Sequence, residues 1–173
     1  MGIKFEDELI SEEDLAGYGE TLKRAQEALS KKVISTRFHE EPLIPIDTSK
    51  MIFVFGSNEA GRHGAGAARF ALEHRGADYG TGHGLHGQSY AIPTKDHEIQ
   101  SLPKRHVLNY VLHFIQFAQE HPELTFQVTA IGCGLAGFKH EDIAPMFVGA
   151  PNNCFFDTLW KPWLPEKRFW GTF

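Results

Sequence analysis

The sequence predicts an α/β protein, specifically a three-layer α/β/α sandwich with a mostly parallel mixed sheet. Short apolar runs typical of strands alternate along the chain with segments of helical periodicity, a pattern that favours a parallel sheet covered by helices. The run at 51–55 is continuously apolar, as expected of a central strand buried on both faces. This run and the one at 124–131 both open into glycine-rich loops, and in parallel sheets ligands bind at such strand ends.

The first half of the chain begins with a predicted amphipathic helix over 11–32, where a serine N-cap precedes three acidic residues. A short strand at 33–38 and an irregular, proline-containing connection at 40–50 are expected next. The apolar run at 51–55 is the first central strand, and the alanine-rich segment at 67–74 is a helix.

A glycine-dense connection at 76–87 is predicted to form no regular element. Apolar residues recur at helical spacing after Pro103, and Pro122 ends that helix. The other elements expected in this half are strand 89–92, helix 102–120, strand 124–131, helix 140–148 and a final strand 154–160.

The 173 residues, of which 42% are hydrophobic and 23% charged, fit one globular domain with extensions. We expect a helical extension and connection at 1–50, a ligand-binding domain at 51–160, and an aromatic tail at 161–173 that packs on it. Alternatively, the tail could stack on a base or dock a second copy of the chain, which would give a homo-oligomer.

Composition argues against several classes of protein. The net charge is −5 and basic residues are scattered, so no nucleic-acid partner is expected. No apolar stretch approaches the roughly 20 residues that cross a bilayer, so we expect no membrane partner and a cytoplasmic location. With only Cys133 and Cys154, reduced thiols are expected. His83 and His86 lie in a glycine-rich segment that gives no rigid presentation, so no metal site is expected. No cofactor is expected either.

Two glycine loops carry the functional prediction. Loop 56–68 follows the first central strand and loop 131–142 follows the later one, and each leads into a predicted helix. Glycines leave backbone N–H groups unshielded, and a helix N-terminus favours negative charge. Two such loops predict one extended diphosphate ligand. The alternative is that the glycines only allow tight turns and close packing.

The motifs Val54–Asn58 followed by Gly64–Ala68, and Ile131–Phe138, resemble the two ligand loops of a macro domain. The macro domain is an ADP-ribose-binding module, and this chain is similar to a divergent bacterial or phage branch of the family. The resemblance implies a macro-domain-like α/β/α fold, with Asn58 on the distal ribose and Phe138 packed against it. It implies these ligand-binding residues: Asn58, Gly64, Ala65, Gly66, Ala67, Gly132, Cys133, Gly134, Leu135, Ala136, Gly137 and Phe138.

The predicted function is therefore binding of ADP-ribose or a related nucleotide diphosphate, with hydrolysis of an ADP-ribosyl derivative left open. The candidate catalytic residues are Asn58, His63, Lys95 and His140. One alternative is a cysteine-dependent hydrolase that uses Cys133 as nucleophile and His140 as base, because a thiol near a helix N-terminus can have a lowered pKa. The other alternative is a non-catalytic partner-binding module.

Overall fold

A computed structural model describes residues 46–173, together with residues 19–20, 22–24 and 27, which are helical. The predicted strand at 33–38 and the rest of the predicted helix at 11–32 lie outside the described residues. No helix among the described residues is long and apolar enough to span a membrane.

The described chain contains six strands: β1 Ile52–Asn58, β2 Gly84–His86, β3 Ser89–Lys95, β4 Phe126–Val128, β5 Cys154–Asp157 and β6 Arg168–Gly171. They form one sheet in the order β2-β3-β1-β4-β5-β6. Strand β2 is antiparallel to β3, and all the other neighbours run parallel. This confirms the predicted α/β class with a mostly parallel mixed sheet.

Helices cover both faces of the sheet. The long helix α2 (Lys104–Glu120) belongs to the larger hydrophobic cluster, and α1 (Gly66–His74) belongs to the smaller one. Alternate residues of β1 divide between the clusters, since Ile52 and Val54 lie in the first and Phe53 and Phe55 in the second. The architecture is therefore compatible with three α/β/α layers.

Several predicted elements have different bounds. Strand β3 continues three residues beyond the expected end, with Pro93 inside it and a register shift beside Asn58. Regular pairing of β4 ends at Val128, and Thr129 donates both its N–H and its hydroxyl to the Val54 carbonyl. The predicted helix at 140–148 is a short α3 (His140–Ile143) followed by a 3₁₀ turn (Ala144–Phe147), because Pro145 has no N–H to continue an α-helix.

Two segments that were expected to lack strands contribute to the sheet. The glycine-dense connection at 76–87 contains β2, and the aromatic tail contains β6, which pairs with β5. The predicted final strand at 154–160 stops at Asp157, whose carboxylate accepts the Leu159 N–H and begins a 3₁₀ turn over Thr158–Trp160. Sequence reasoning missed β6 because its pairing depends on a strand 10 or more residues away rather than on local pattern.

Candidate functional site

A cleft of about 580 Å³ opens at the carboxyl ends of four neighbouring strands. Lys95 of β3, Asn58 of β1, Thr129 after β4 and Asp157 of β5 all line it. The chain passes from β1 to β3 by way of α1, and from β3 to β4 by way of α2, which belongs to the opposite face. The strand order therefore changes direction at β1, since β3 lies on one side of it and β4 on the other. Ligands usually bind at the strand ends beside such a switch point.

The first glycine loop lines the cleft from Gly64 to Ala68 and becomes the first turn of α1. The N-cap of α1 is Ala65, which supplies no side-chain acceptor. Within residues 46–173, the N–H groups of Gly64, Ala65, Gly66, Ala67 and Ala68 donate no hydrogen bond. Uncommitted donors at a helix N-terminus attract an anion.

The second glycine loop lines the same cleft with residues 132–136. It is closed by its own backbone, since Phe138 donates to the Gly132 carbonyl at 2.9 Å and Gly137 donates to the Gly134 carbonyl at 3.0 Å. Gly132 has a φ of +74°, and a Cβ there would lie 3.1 Å from the Phe138 ring. In the part of the chain that is described, no acceptor is found for the N–H groups of Gly132, Gly134, Leu135 and Ala136.

Asn58 lies in the cleft wall, but its side chain is used by the backbone of the first loop. Its Nδ2 donates to the Arg62 carbonyl at 2.7 Å, and its Oδ1 accepts the Arg62 N–H at 2.9 Å. The side chain is buried. Asn58 therefore closes and orients the loop, which is the local role an asparagine has at a turn.

Three predicted site residues, His63, Gly137 and Phe138, do not line the cleft. His63 is 1% exposed, and its Nε2 lies 3.1 Å from the carbonyl oxygens of both Asp78 and Thr81. Phe138 packs against the larger core cluster beneath the second loop. The cleft lining therefore gives no support to the catalytic role predicted for His63 or to the ribose-packing role predicted for Phe138, and both side chains pack behind the loops.

Besides Asn58, the predicted catalytic candidates Lys95 and His140 line the cleft. Among the described residues Lys95 has no ion pair. The Trp160 Nε1–H donates to His140 Nδ1 at 3.0 Å, and because indole is only a donor, this nitrogen carries no proton. The neutral His140 ring therefore carries its proton on Nε2, where it is a donor rather than a base.

Sequence reasoning missed Asp157, a carboxylate that is 1% exposed in the cleft wall. Its Oδ1 accepts the Leu159 N–H, and its Oδ2 accepts the Thr172 hydroxyl at 3.1 Å and the Phe173 N–H at 3.3 Å. These bonds hold Phe173 at the cleft. An acidic residue directly after the apolar run 154–156 was the available signal.

Three exposed apolar side chains form a rim on the cleft: Leu135, Leu159 and Phe173, with 76%, 54% and 58% of their surfaces exposed. Phe173 also packs against Phe53 and Phe70, with ring centroids 5.6 and 5.3 Å apart. Exposed apolar groups around a polar floor are typical of a binding surface.

Cys133 lines the cleft, but its environment opposes nucleophilic chemistry. Burial raises the pKa of the Cys133 thiol to about 11, outweighing the opposing effect of the nearby Trp160 indole N–H, and the negative charges of Asp142 and Asp157 raise it further. The thiol is thus protonated at neutral pH, and the predicted base His140 presents a proton rather than a lone pair. The geometry does not favour the cysteine-hydrolase alternative.

Alkylation of Cys133 by iodoacetamide is expected to be slow and to rise about tenfold per pH unit from pH 7 to 10, because only the thiolate reacts. At pH 8 the rate is expected to be about a hundredfold below that of a free thiol with a pKa near 9, given a folded-state pKa of about 11. Mass spectrometry of the intact, folded protein measures this rate and locates the adduct. Rapid modification at pH 7 would instead support the alternative in which Cys133 acts as a nucleophile.

Within the described residues, no group of three or more histidine, cysteine or acidic side chains is arranged to hold a metal ion. No protein-family model, curated protein or solved structure matches this chain.

Proposed function

We propose that this protein binds ADP-ribose, or a closely related nucleoside diphosphate, in the cleft between its two glycine loops. The observation that carries the proposal is that two sets of N–H groups with no acceptor among the described residues line one cleft: those of residues 64–68, and those of Gly132, Gly134, Leu135 and Ala136. They follow β1 and β4, which are adjacent strands and so lie about 5 Å apart. A diphosphate is long enough to accept hydrogen bonds from both sets of N–H groups at once.

Charge supports a phosphate ligand. Arg62, Lys95 and His140 line the cleft as donors, whereas Asp157 is its one lining carboxylate among the described residues. Backbone N–H groups do not titrate, so their attraction for an anion does not change with pH. Binding through them also requires little ordering of side chains. The diphosphate would therefore be held mainly by backbone N–H groups, with Lys95 adding a cation.

The two ends of the cleft differ, which supports a ligand with unlike ends. The β5 end presents Leu159, Phe173 and the buried Asp157. An apolar platform beside a hydrogen-bond acceptor suits a base with an amino group. The β3 end presents Lys95, where a distal ribose would lie. Asn58 would act on this ribose only through the loop it orients.

Hydrolysis of an ADP-ribosyl derivative would have to use Lys95 or the Nε2–H of His140 for proton transfer. Both are donors as they stand, so they suit the stabilisation of a leaving group better than the abstraction of a proton from water. Binding is therefore the primary function that we propose, and turnover is a separate question.

Calorimetric titration with ADP-ribose tests the proposal, with AMP, ribose 5-phosphate and NAD as comparators. We expect micromolar ADP-ribose affinity and at least about tenfold weaker binding of AMP and ribose 5-phosphate, each of which offers only one phosphate. Product analysis after incubation with an ADP-ribosylated protein separates a hydrolase from a binder. If no nucleotide bound, the rim of Leu135, Leu159 and Phe173 would make partner binding the leading alternative.

A further inference from the structure

Ile99 has a backbone conformation that is costly for its residue type. Its φ is +66°, and it is the one non-glycine residue with positive φ in the described chain. Nine described glycines occupy all the other positive-φ positions. A β-branched side chain in the left-handed region is a true outlier, because its Cβ crowds the backbone.

The surrounding turn forces this conformation. The Oδ1 atom of Asp96 accepts the N–H groups of Glu98 and Gln100, both at 2.9 Å. The backbone of Asp96 also accepts the Ile99 N–H at 3.1 Å and donates to the Gln100 carbonyl at 2.8 Å. A strained residue persists only when its neighbours over-determine its position, as they do here.

The strained turn belongs to the cleft. Ile99 lines it, four residues after Lys95, at the β3 end of the row of strand ends. The Ser101 hydroxyl donates to the Ala136 carbonyl at 2.7 Å, which ties this turn to the second glycine loop. The side chain of Ile99 therefore stands beside the loops assigned to the diphosphate, at the end away from Phe173.

Glycine would adopt the same conformation at no steric cost, so the isoleucine side chain must supply something that glycine lacks. Because Ile99 lines the cleft, we infer that its side chain contributes a contact with the bound ligand. Strain retained at a binding surface points to function rather than to stability.

We propose that Ile99 is a specificity-determining residue that forms an apolar wall against the distal sugar of the ligand. The inference rests on the proposed nucleoside diphosphate binding and deepens it. The preferred ligand class is a nucleoside diphosphate with a sugar on its distal phosphate, such as ADP-ribose, rather than the bare diphosphate ADP.

The test compares Ile99→Gly with wild type by titration with ADP-ribose and with ADP. We expect ADP-ribose affinity to fall about five- to tenfold, as for the loss of a partly buried aliphatic contact, while ADP affinity changes less than about twofold. The Tm is expected to stay at or above that of wild type, because glycine relieves the strain.

Leu135→Gly is the matched control, since Leu135 also lines the cleft but has no positive φ. It relieves no strain, so its Tm is not expected to exceed the wild-type value. Unchanged ADP-ribose affinity in Ile99→Gly, an equal loss for ADP, or a Tm lower than that of Leu135→Gly would each overturn the assignment. Failure of the wild-type protein to bind either nucleotide would refute the proposed function itself. This outcome is separate from failure of the Ile99 assignment, because it is seen without any variant.

Discussion

Replacing Gly134 by glutamate is expected to weaken ADP-ribose binding by at least about a hundredfold, with little change in folding stability. A Cβ at Gly134 would meet no atom within 4 Å, and this glycine has no positive φ, so the fold can accept a side chain there. A carboxylate beside the uncommitted N–H groups would occupy their site and repel the diphosphate. At a partly shielded surface, two like charges about 4 Å apart cost about 4 kcal/mol, more than the roughly 2.7 kcal/mol of a hundredfold loss.

Gly64→Glu is the corresponding change in the first loop, where a Cβ also meets no atom within 4 Å and φ is not positive. We expect a loss of similar size, since the proposal assigns one diphosphate to both loops. Gln119→Glu controls for net charge, because Gln119 is an exposed residue of α2 outside the cleft lining. Calorimetry and thermal unfolding of all three variants measure the effect. A loss confined to one loop would contradict a shared diphosphate site.

Elements with a strong local pattern could be predicted from the sequence. The helix over 104–120 buries Val107, Val111 and Phe114 at helical spacing, between Pro103 as its N-cap and Pro122. The central strand β1 was expected because its run is apolar on both faces, and both faces are buried against separate clusters. These signals are strong because each lies within one element.

Elements that depend on partners distant in sequence could not be predicted. Strand β6 forms because its backbone pairs with β5, and the Trp170 indole donates to the Val128 carbonyl, 42 residues away. Strand β2 is a three-residue strand at the edge of the sheet, within a segment whose many glycines predict a loop. In both cases tertiary contacts override a weak or contrary local preference.

The same division holds for the candidate site. The loop positions follow from the glycines and the strand ends, so Gly64–Ala67 and 132–136 were predicted and do line one cleft. The side-chain roles of Asn58, His63 and Phe138 depend on contacts with the Arg62 backbone, the 76–87 connection and the core. A sequence motif gives the type and order of residues, but it does not show which partner each side chain contacts in the folded protein.

Gly82→Ala is expected to be the most destabilising of the changes considered, because two chain segments touch at this residue. A Cβ on Gly82 would overlap the carbonyl oxygen of Asn58 and lie 2.9 Å from its carbonyl carbon. The obstacle is backbone at the end of a central strand, which cannot move aside as a flexible side chain can. Overpacking of this kind costs about 3 kcal/mol, which lowers the Tm of a domain this size by roughly 6–12 °C.

The effect should extend to the cleft, because Asn58 is the residue whose side chain closes the first glycine loop. Thermal unfolding and ADP-ribose titration of Gly82→Ala therefore measure linked losses. Gly64→Ala is the matched control, since the same methyl group there meets no atom within 4 Å and should leave the Tm within about 1 °C of wild type. A Gly82→Ala protein as stable as this control would mean that the 76–87 connection does not press on β1, and that the first loop is shaped without it.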